Sequence, residues 1–173
     1  MADTPSTPGN AEHDPRDFRN ALGLFATGVT IVTTRTSAGD PIGLTANSFS
    51  SVSLSPPLVL WSLSLRSPNL PNFLQATHFA VNVLAQDQIA LSQRFARPMP
   101  NKFEGVAYCL GSSGMPLIEG VAAQFECRTE ARHYSGDHVI FIGHVLKYSY
   151  NERPALGYFR GRYAGITTLP DSG

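Results

Sequence analysis

Four adjacent residues, Thr45-Ala46-Asn47-Ser48, bring together two hydroxyls and a side-chain amide with no charge. An amide donates and accepts at fixed angles, and hydroxyls do both with freer geometry. That set suits a flat molecule whose edge alternates carbonyls with ring nitrogens. It equally suits a surface loop whose Ser and Thr side chains cap their own backbone. A second group, Ser62, Ser64 and Arg66, recurs at every other position. Two hydroxyls and a guanidinium can hold a phosphate, because Arg grips two oxygens at once. An ordinary solvent-facing strand side would look the same. In Gly136-Asp137-His138 the Gly-Asp pair signals a turn, and the histidine either packs on a ligand ring or stays solvated. In G-Y-F-R-G-R-Y-A-G, residues 157–165, two arginines and aromatic rings stand between glycines. They could meet a dinucleotide or simply close a strand around a tight bend.

Other chemistries find little support. His133, His138 and His144 are spaced five and six apart, which does not put all three on one strand face, so no metal site is expected. Cys109 and Cys127 lie 18 apart without a C-x-x-C. Two cysteines in a chain this size are no disulfide framework and fit a reducing compartment. There is no G-x-G-x-x-G after a strand, no G-x-x-x-x-G-K-[ST], no H-E-x-x-H and no G-x-S-x-G.

The segments that carry these residues read mostly as strands. Pro15 can open a helix that carries Phe18, Leu22 and Phe25 and ends at Gly28. Val29 to Thr34 is β-branched throughout and predicts a strand. In Leu58 to Leu65, Trp61, Leu63 and Leu65 alternate with Ser62 and Ser64, so rings and hydroxyls take opposite faces. Ser67 to Gln75 and Asp87 to Phe95 predict helices, with a strand over His78 to Leu84 between them that embeds Asn82. Val121 to Tyr134 and His138 to Tyr150 predict two long strands around S-G-D. The second is apolar on both faces, as in a barrel strand filled inside and covered outside. The expectation is a mainly β domain over 15–166, a β-barrel with a few short helices, between tails at 1–14 and 167–173.

The 173 residues, 42% hydrophobic and 15% charged, can fill one core. Lys plus Arg and Asp plus Glu number 13 each, so the chain has no basic footprint for nucleic acid or an anionic membrane. No apolar run approaches the roughly 18 residues of a span. The start lacks the basic and apolar regions of a secretory signal, and a soluble cytoplasmic protein is expected.

Six segments in order resemble the short-chain flavin reductases, the reductase components of two-component flavin-dependent monooxygenases. They are F-A-T-G-V-T-I-V-T-T, G-L-T-A-N-S-F-S-S-V-S-L-S-P-P-L-V-L, F-A-V-N-V-L-A-Q-D-Q, K-F-E-G-V, G-D-H-V-I-F-I-G-H-V and P-A-L-G-Y-F-R-G-R-Y. The resemblance implies a split β-barrel homodimer that binds FMN or FAD near the dimer interface and oxidises NADH or NADPH. It further implies that Thr45, Ala46, Asn47 and Ser48 lie along the flavin ring, and that Ser62, Ser64 and the turn at Ser67 face its ribityl and phosphate. Asn82, Phe95 and Tyr163 fall in segments that line the site in relatives, and His138 matches the histidine beside the nicotinamide. The chain reads S-L-R-S-P-N-L after Leu63, where many relatives differ, and Arg66 as a phosphate clamp is an inference from its chemistry. The implied activity is NAD(P)H-dependent reduction of flavin that then diffuses to an oxygenase. A flavin carrier, or an oxidase that keeps its flavin, would use the same pocket.

Overall fold

The sheet owes its shape to a short link. In a computed structural model that describes residues 14–169, seven strands form one antiparallel sheet in the order β3-β2-β6-β9-β10-β5-β4. These are β2 (Thr30–Arg35), β3 (Pro41–Ala46), β4 (Ser50–Leu54), β5 (Pro57–Ser64), β6 (His78–Val83), β9 (Ala123–Ser135) and β10 (His138–Tyr150). Strands β3 and β4 are its opposite edges, yet only residues 47–49 separate them in sequence. A three-residue link spans about 10 Å, so the sheet must roll until its edges approach. A smaller sheet holds β1 (Thr27–Gly28), β11 (Leu156–Phe159) and β12 (Arg162–Gly165), and β7 (Tyr108–Leu110) pairs with β8 (Pro116–Ile118). The helices are α1 (Pro15–Leu22), α2 (Leu70–Gln75) and α3 (Ile89–Ala96). Residues 1–13 and 170–173, most of both expected tails, lie outside the described residues.

Aromatic side chains fill the roll. Trp61 stacks on Phe141 at 4.8 Å and meets Phe73 edge-on at 4.9 Å and Phe79 at 5.9 Å. Leu44, Val32, Leu63, Val81 and Val139 belong to the same cluster. The outer face carries a second cluster, where Val29, Ile31, Leu84, Phe95, Phe103 and Ile118 pack under α3 and β8. Strand β2 therefore buries neighbouring residues on both sides, with Val32 inward and Ile31 outward. That is the physical reason for its unbroken β-branched run.

Several predicted boundaries move. Helix α1 stops at Leu22: the bonds that follow tighten to Leu24 N–H on Ala21 O and Phe25 N–H on Leu22 O, and the Gly23 carbonyl accepts from Arg160 N–H at 2.8 Å instead of continuing the helix. Gly28 is thus a strand residue opposite Gly157, not a helix stop. Leu65 lies past the end of β5 and is exposed, so it does not share the Trp61 face. Helices α2 and α3 begin at Leu70 and Ile89, later than predicted, whereas the long β9–β10 hairpin forms around Gly136-Asp137, with its first strand starting at Ala123 rather than Val121. Both cysteines are free; burial pushes the Cys127 thiol up to about 12, so it is no nucleophile near neutrality.

Glu126 on β9 is a buried carboxylate, 3% exposed. Burial alone would raise its pKa, but Ser113 N–H (3.0 Å) and the hydroxyls of Ser112 (2.9 Å) and Ser113 (3.2 Å) donate to it, and Lys147 adds positive charge, so it lies below its ordinary value. A depressed carboxylate stabilises the fold above its unfolded pKa, and that contribution disappears as pH falls through the folded value. Glu126→Ala should therefore cost at least about 2 kcal/mol in urea unfolding at pH 7. The cost should shrink as the pH is lowered below about 4; a cost that stays constant with pH would refute the ionised state.

Candidate functional site

Strand register brings the hydroxyl strand beside the histidine. Ser64 of β5 stands opposite His138 of β10, and Ser62 opposite Ile140. Directly opposed residues share a face with Cβ atoms about 5 Å apart, so Ser62, Ser64 and His138 occupy one surface. Leu65 N–H bonds to Asp137 O at 2.9 Å and locks the two turns together. His138 Nδ1 lies 2.7 Å from Asp137 Oδ1. The Asp137 carboxyl is held below its ordinary value, first by that hydrogen bond, then by the charge of His138, with a smaller contribution from Arg66. An ionised carboxylate only accepts, so Nδ1 carries the proton and Nε2 is the nitrogen left for a ligand.

The four residues 45–48 divide their tasks. Thr45 donates to Ser92 O at 2.6 Å, and Ser92 Oγ meets Tyr163 Oη at 2.9 Å, which ties β3, α3 and β12 together. Ala46 packs against the inner core. Ser48 accepts from Ser62 N–H at 2.9 Å and donates to Ser62 O at 3.2 Å, stapling the strands that the roll brings close. Asn47 is exposed, and its amide has no hydrogen bond among the described residues. It shares with His138 and Thr27 a cleft of about 1040 Å³ beneath α1. Ser64 and Ser67 accept from Arg66 N–H and Asn69 N–H, each at 3.3 Å, and so shape their own turn. Arg66 is exposed above it.

Two expected ligands are not available as side chains. Asn82 is fully buried and its amide is saturated. Nδ2 donates to Ile31 O and Thr33 Oγ1, and Oδ1 accepts from Ile118 N–H and Gln124 Nε2. Phe95 is 1% exposed, edge-on to Phe103 at 5.0 Å, and fills the space over Gly43, where a Cβ would come within 2.7 Å of its ring. Both residues are framework: Asn82 lies under β8, and Phe95 points from α3 onto Gly43 of β3 and against Phe103, a layering that a single strand pattern does not reveal. Tyr163 is half-buried through the same contacts. In the other direction, Arg160 falls in the 157–165 segment whose arginines could meet a dinucleotide, but Thr27, Ser92 and Arg19 carry no sequence signal of their own. Only pairing distant in sequence brings them in. Among the described residues no three His, Cys, Asp or Glu side chains gather as metal ligands.

A neutral donor set can hold an uncharged ring edge. Thr27 Oγ1 is buried without a partner in the cleft wall, Asn47 presents a free amide, and β3 is an edge strand with backbone groups open on one side. The cleft volume is of the size that takes an organic cofactor or substrate, about 300–1,000 Å³. The cleft thus sets neutral polar groups, able to meet a flat polar ring, beside two arginines and one carboxylate, Arg19, Arg160 and Asp17. The flavin reductase like domain matches residues 22–167, and the chain belongs to that family. It is 49% identical to the FMN reductase (NADH) SmoA of Agrobacterium fabrum, over 86% of this chain and 84% of that one. It is 46% identical to the reductase component of the flavin-dependent trigonelline monooxygenase of Acinetobacter baylyi, over 86% of this chain but 48% of that longer protein. The NADH:FAD oxidoreductase SgcE6 of Streptomyces globisporus, solved with NAD and FAD fragments, superposes with a TM-score of 0.83 at 38% identity, covering 92% of this chain and 98% of that one.

The assignment of Asn82 has a direct test. Asn82→Ala should lower stability by about 2 kcal/mol or more, since it strands partners on three strands, β2, β8 and β9. Flavin affinity, measured per folded molecule by fluorescence quenching, should stay within twofold. A large loss of affinity at unchanged stability would restore Asn82 to the ligand set.

Proposed function

We propose that this protein is an NAD(P)H:flavin oxidoreductase that supplies reduced FMN or FAD to a separate monooxygenase. The observation that carries the reading is the convergence, in one cleft, of the free Asn47 amide, the orphan Thr27 hydroxyl and a His138 oriented by Asp137, in a chain of the flavin reductase family. Bound flavin would supply the hydride-accepting ring, and the reduced nicotinamide the hydride. The protein's residues would bind and align. Asn47 and the open β3 edge would hold the polar rim of the ring, and Ser62, Ser64, Ser67 and Arg66 would line the side toward the phosphate. His138 Nε2 would orient the nicotinamide over the flavin. Ring-on-ring alignment is a proximity effect and asks for no nucleophile or strong base. Neutral contacts to the ring suit a flavin that binds and leaves.

We read the rolled sheet as a split barrel that works as a homodimer in the cytoplasm. Exposed apolar side chains support the dimer: Leu54 is 94% exposed, and Val52, Leu146, Tyr148 and Tyr150 are also exposed, on β4 and the far half of β10. An uncovered apolar band of this kind marks an interface. No helix among the described residues is long and apolar enough to cross a membrane.

Absorbance at 340 nm, with NADH or NADPH and with FMN, FAD or no flavin, tests the activity. Oxidation that depends on added flavin is expected, and its absence with every pair, despite flavin binding, would leave a carrier or a flavin-retaining oxidase. His138→Ala should lower kcat/KM for the nicotinamide by about tenfold or more with flavin affinity retained; unchanged kinetics would remove that role. Light scattering on purified protein should give twice the chain mass, and Leu54→Glu should shift it toward one chain. A wild-type monomer at micromolar concentration would end the dimer reading.

A further inference from the structure

The β11–β12 hairpin turns at Arg160-Gly161 with φ of 50° and 74°. Positive φ at both central residues is the type I′ turn, whose first position favours Asn, Asp or Gly. Arginine gains nothing there and sits in a region that L side chains adopt at a cost, so the turn does not explain its side chain. Its backbone, by contrast, is well fixed. Arg160 N–H donates to Gly23 O at 2.8 Å, while Gly23 N–H donates to Arg19 O at 2.9 Å. One glycine thereby couples the end of α1 to the hairpin turn, and with them the two residues Arg19 and Arg160. Both line the cleft that holds Asn47 and His138, and Asp17 is its one lining carboxylate. Neither guanidinium joins an ion pair among the described residues; that of Arg160 lies 5.4 Å from the Phe159 ring centre. Arg162, two residues on, does not line the cleft.

We propose that Arg19 and Arg160 together bind the pyrophosphate of the nicotinamide dinucleotide, in the cleft whose His138 faces its nicotinamide. The inference rests on the reductase reading and adds to it the anchor for the anionic part of the electron donor. An excess of unpaired guanidinium in a cleft, against one carboxylate, favours a ligand with adjacent negative oxygens. The cleft's volume leaves room for more than a single ring system. The flavin ring asks for no such charge, but a flavin phosphate does, so unchanged FMN affinity is what separates donor from acceptor.

ADP-ribose, which carries the pyrophosphate without the nicotinamide, is the probe. Its Kd, the Kd of FMN, and the KM of NADH would be measured for wild type, Arg160→Asn, Arg19→Gln and two charge-matched controls, Arg16→Gln and Arg162→Gln. Arg160→Asn suits the turn better than arginine and should raise Tm, so a loss of binding cannot be ascribed to unfolding. The expected result is about tenfold weaker ADP-ribose binding and a similar rise in NADH KM for Arg160→Asn and Arg19→Gln, with FMN affinity within twofold. Both controls should match wild type. Unchanged ADP-ribose binding in the two cleft variants, an equal loss in the controls, or a loss confined to FMN would each overturn the inference and leave the reductase reading standing. A wild-type protein that binds flavin but neither oxidises NADH nor binds ADP-ribose would overturn both.

Discussion

Three residues between two edge strands set the geometry on which the rest depends. Asn47, Ser48 and Phe49 connect β3 to β4, which lie at opposite ends of a seven-stranded sheet. The link forces the sheet to roll, and the roll puts Ser48 against Ser62 across it. The inward face then becomes narrow enough for Trp61, Phe73, Phe79 and Phe141 to touch one another. At the same link Asn47 is left pointing outward into the cleft. One covalent constraint thus closes the core and opens the site.

Polar groups in this protein fall into two populations. One is saturated. Asn82 binds partners from β2, β8 and β9, Thr33 reaches Pro116, and Glu126 collects three donors from the 112–113 turn. Buried polar groups of that kind fix the register of the layers and have nothing left to offer a ligand. The other population has no hydrogen-bond partner among the described residues: the exposed Asn47 amide, the buried Thr27 hydroxyl and the side chains of Arg19 and Arg160 belong to residues that line a single cleft. The division explains why a hydroxyl-rich sequence yields a site with few free hydroxyls. Most of them hold the strands that frame it.

The proposed chemistry fits that economy of groups. Hydride passage between two rings needs them parallel and close, and a rigid rolled sheet supplies a fixed wall for one of them. The other side of the cleft is built differently. Helix α1 buries none of its residues and is joined to the hairpin turn through Gly23. A donor held by charges on this lighter wall can exchange without disturbing the core.

Much of the strand pattern was legible because it is local. The alternation of Trp61, Ser62, Leu63 and Ser64 sets the two faces of β5, the S-G-D turn sets the long hairpin, and the ordered motifs carry the family resemblance. His138 and Asn47 were also picked out from their neighbours in sequence. Tertiary structure decided which polar residues are free. Asn82 and Phe95 look like ligands in the sequence, but β8 covers the first and the second packs from α3 into the outer cluster. Ser92 and Thr27 read as nothing until pairing 71 residues away, or across β1 and β11, put them beside Tyr163 and the cleft. Side-chain type and period set which face a residue takes. Whether that face meets a partner, a second layer or open space is a property of contacts far apart in the chain.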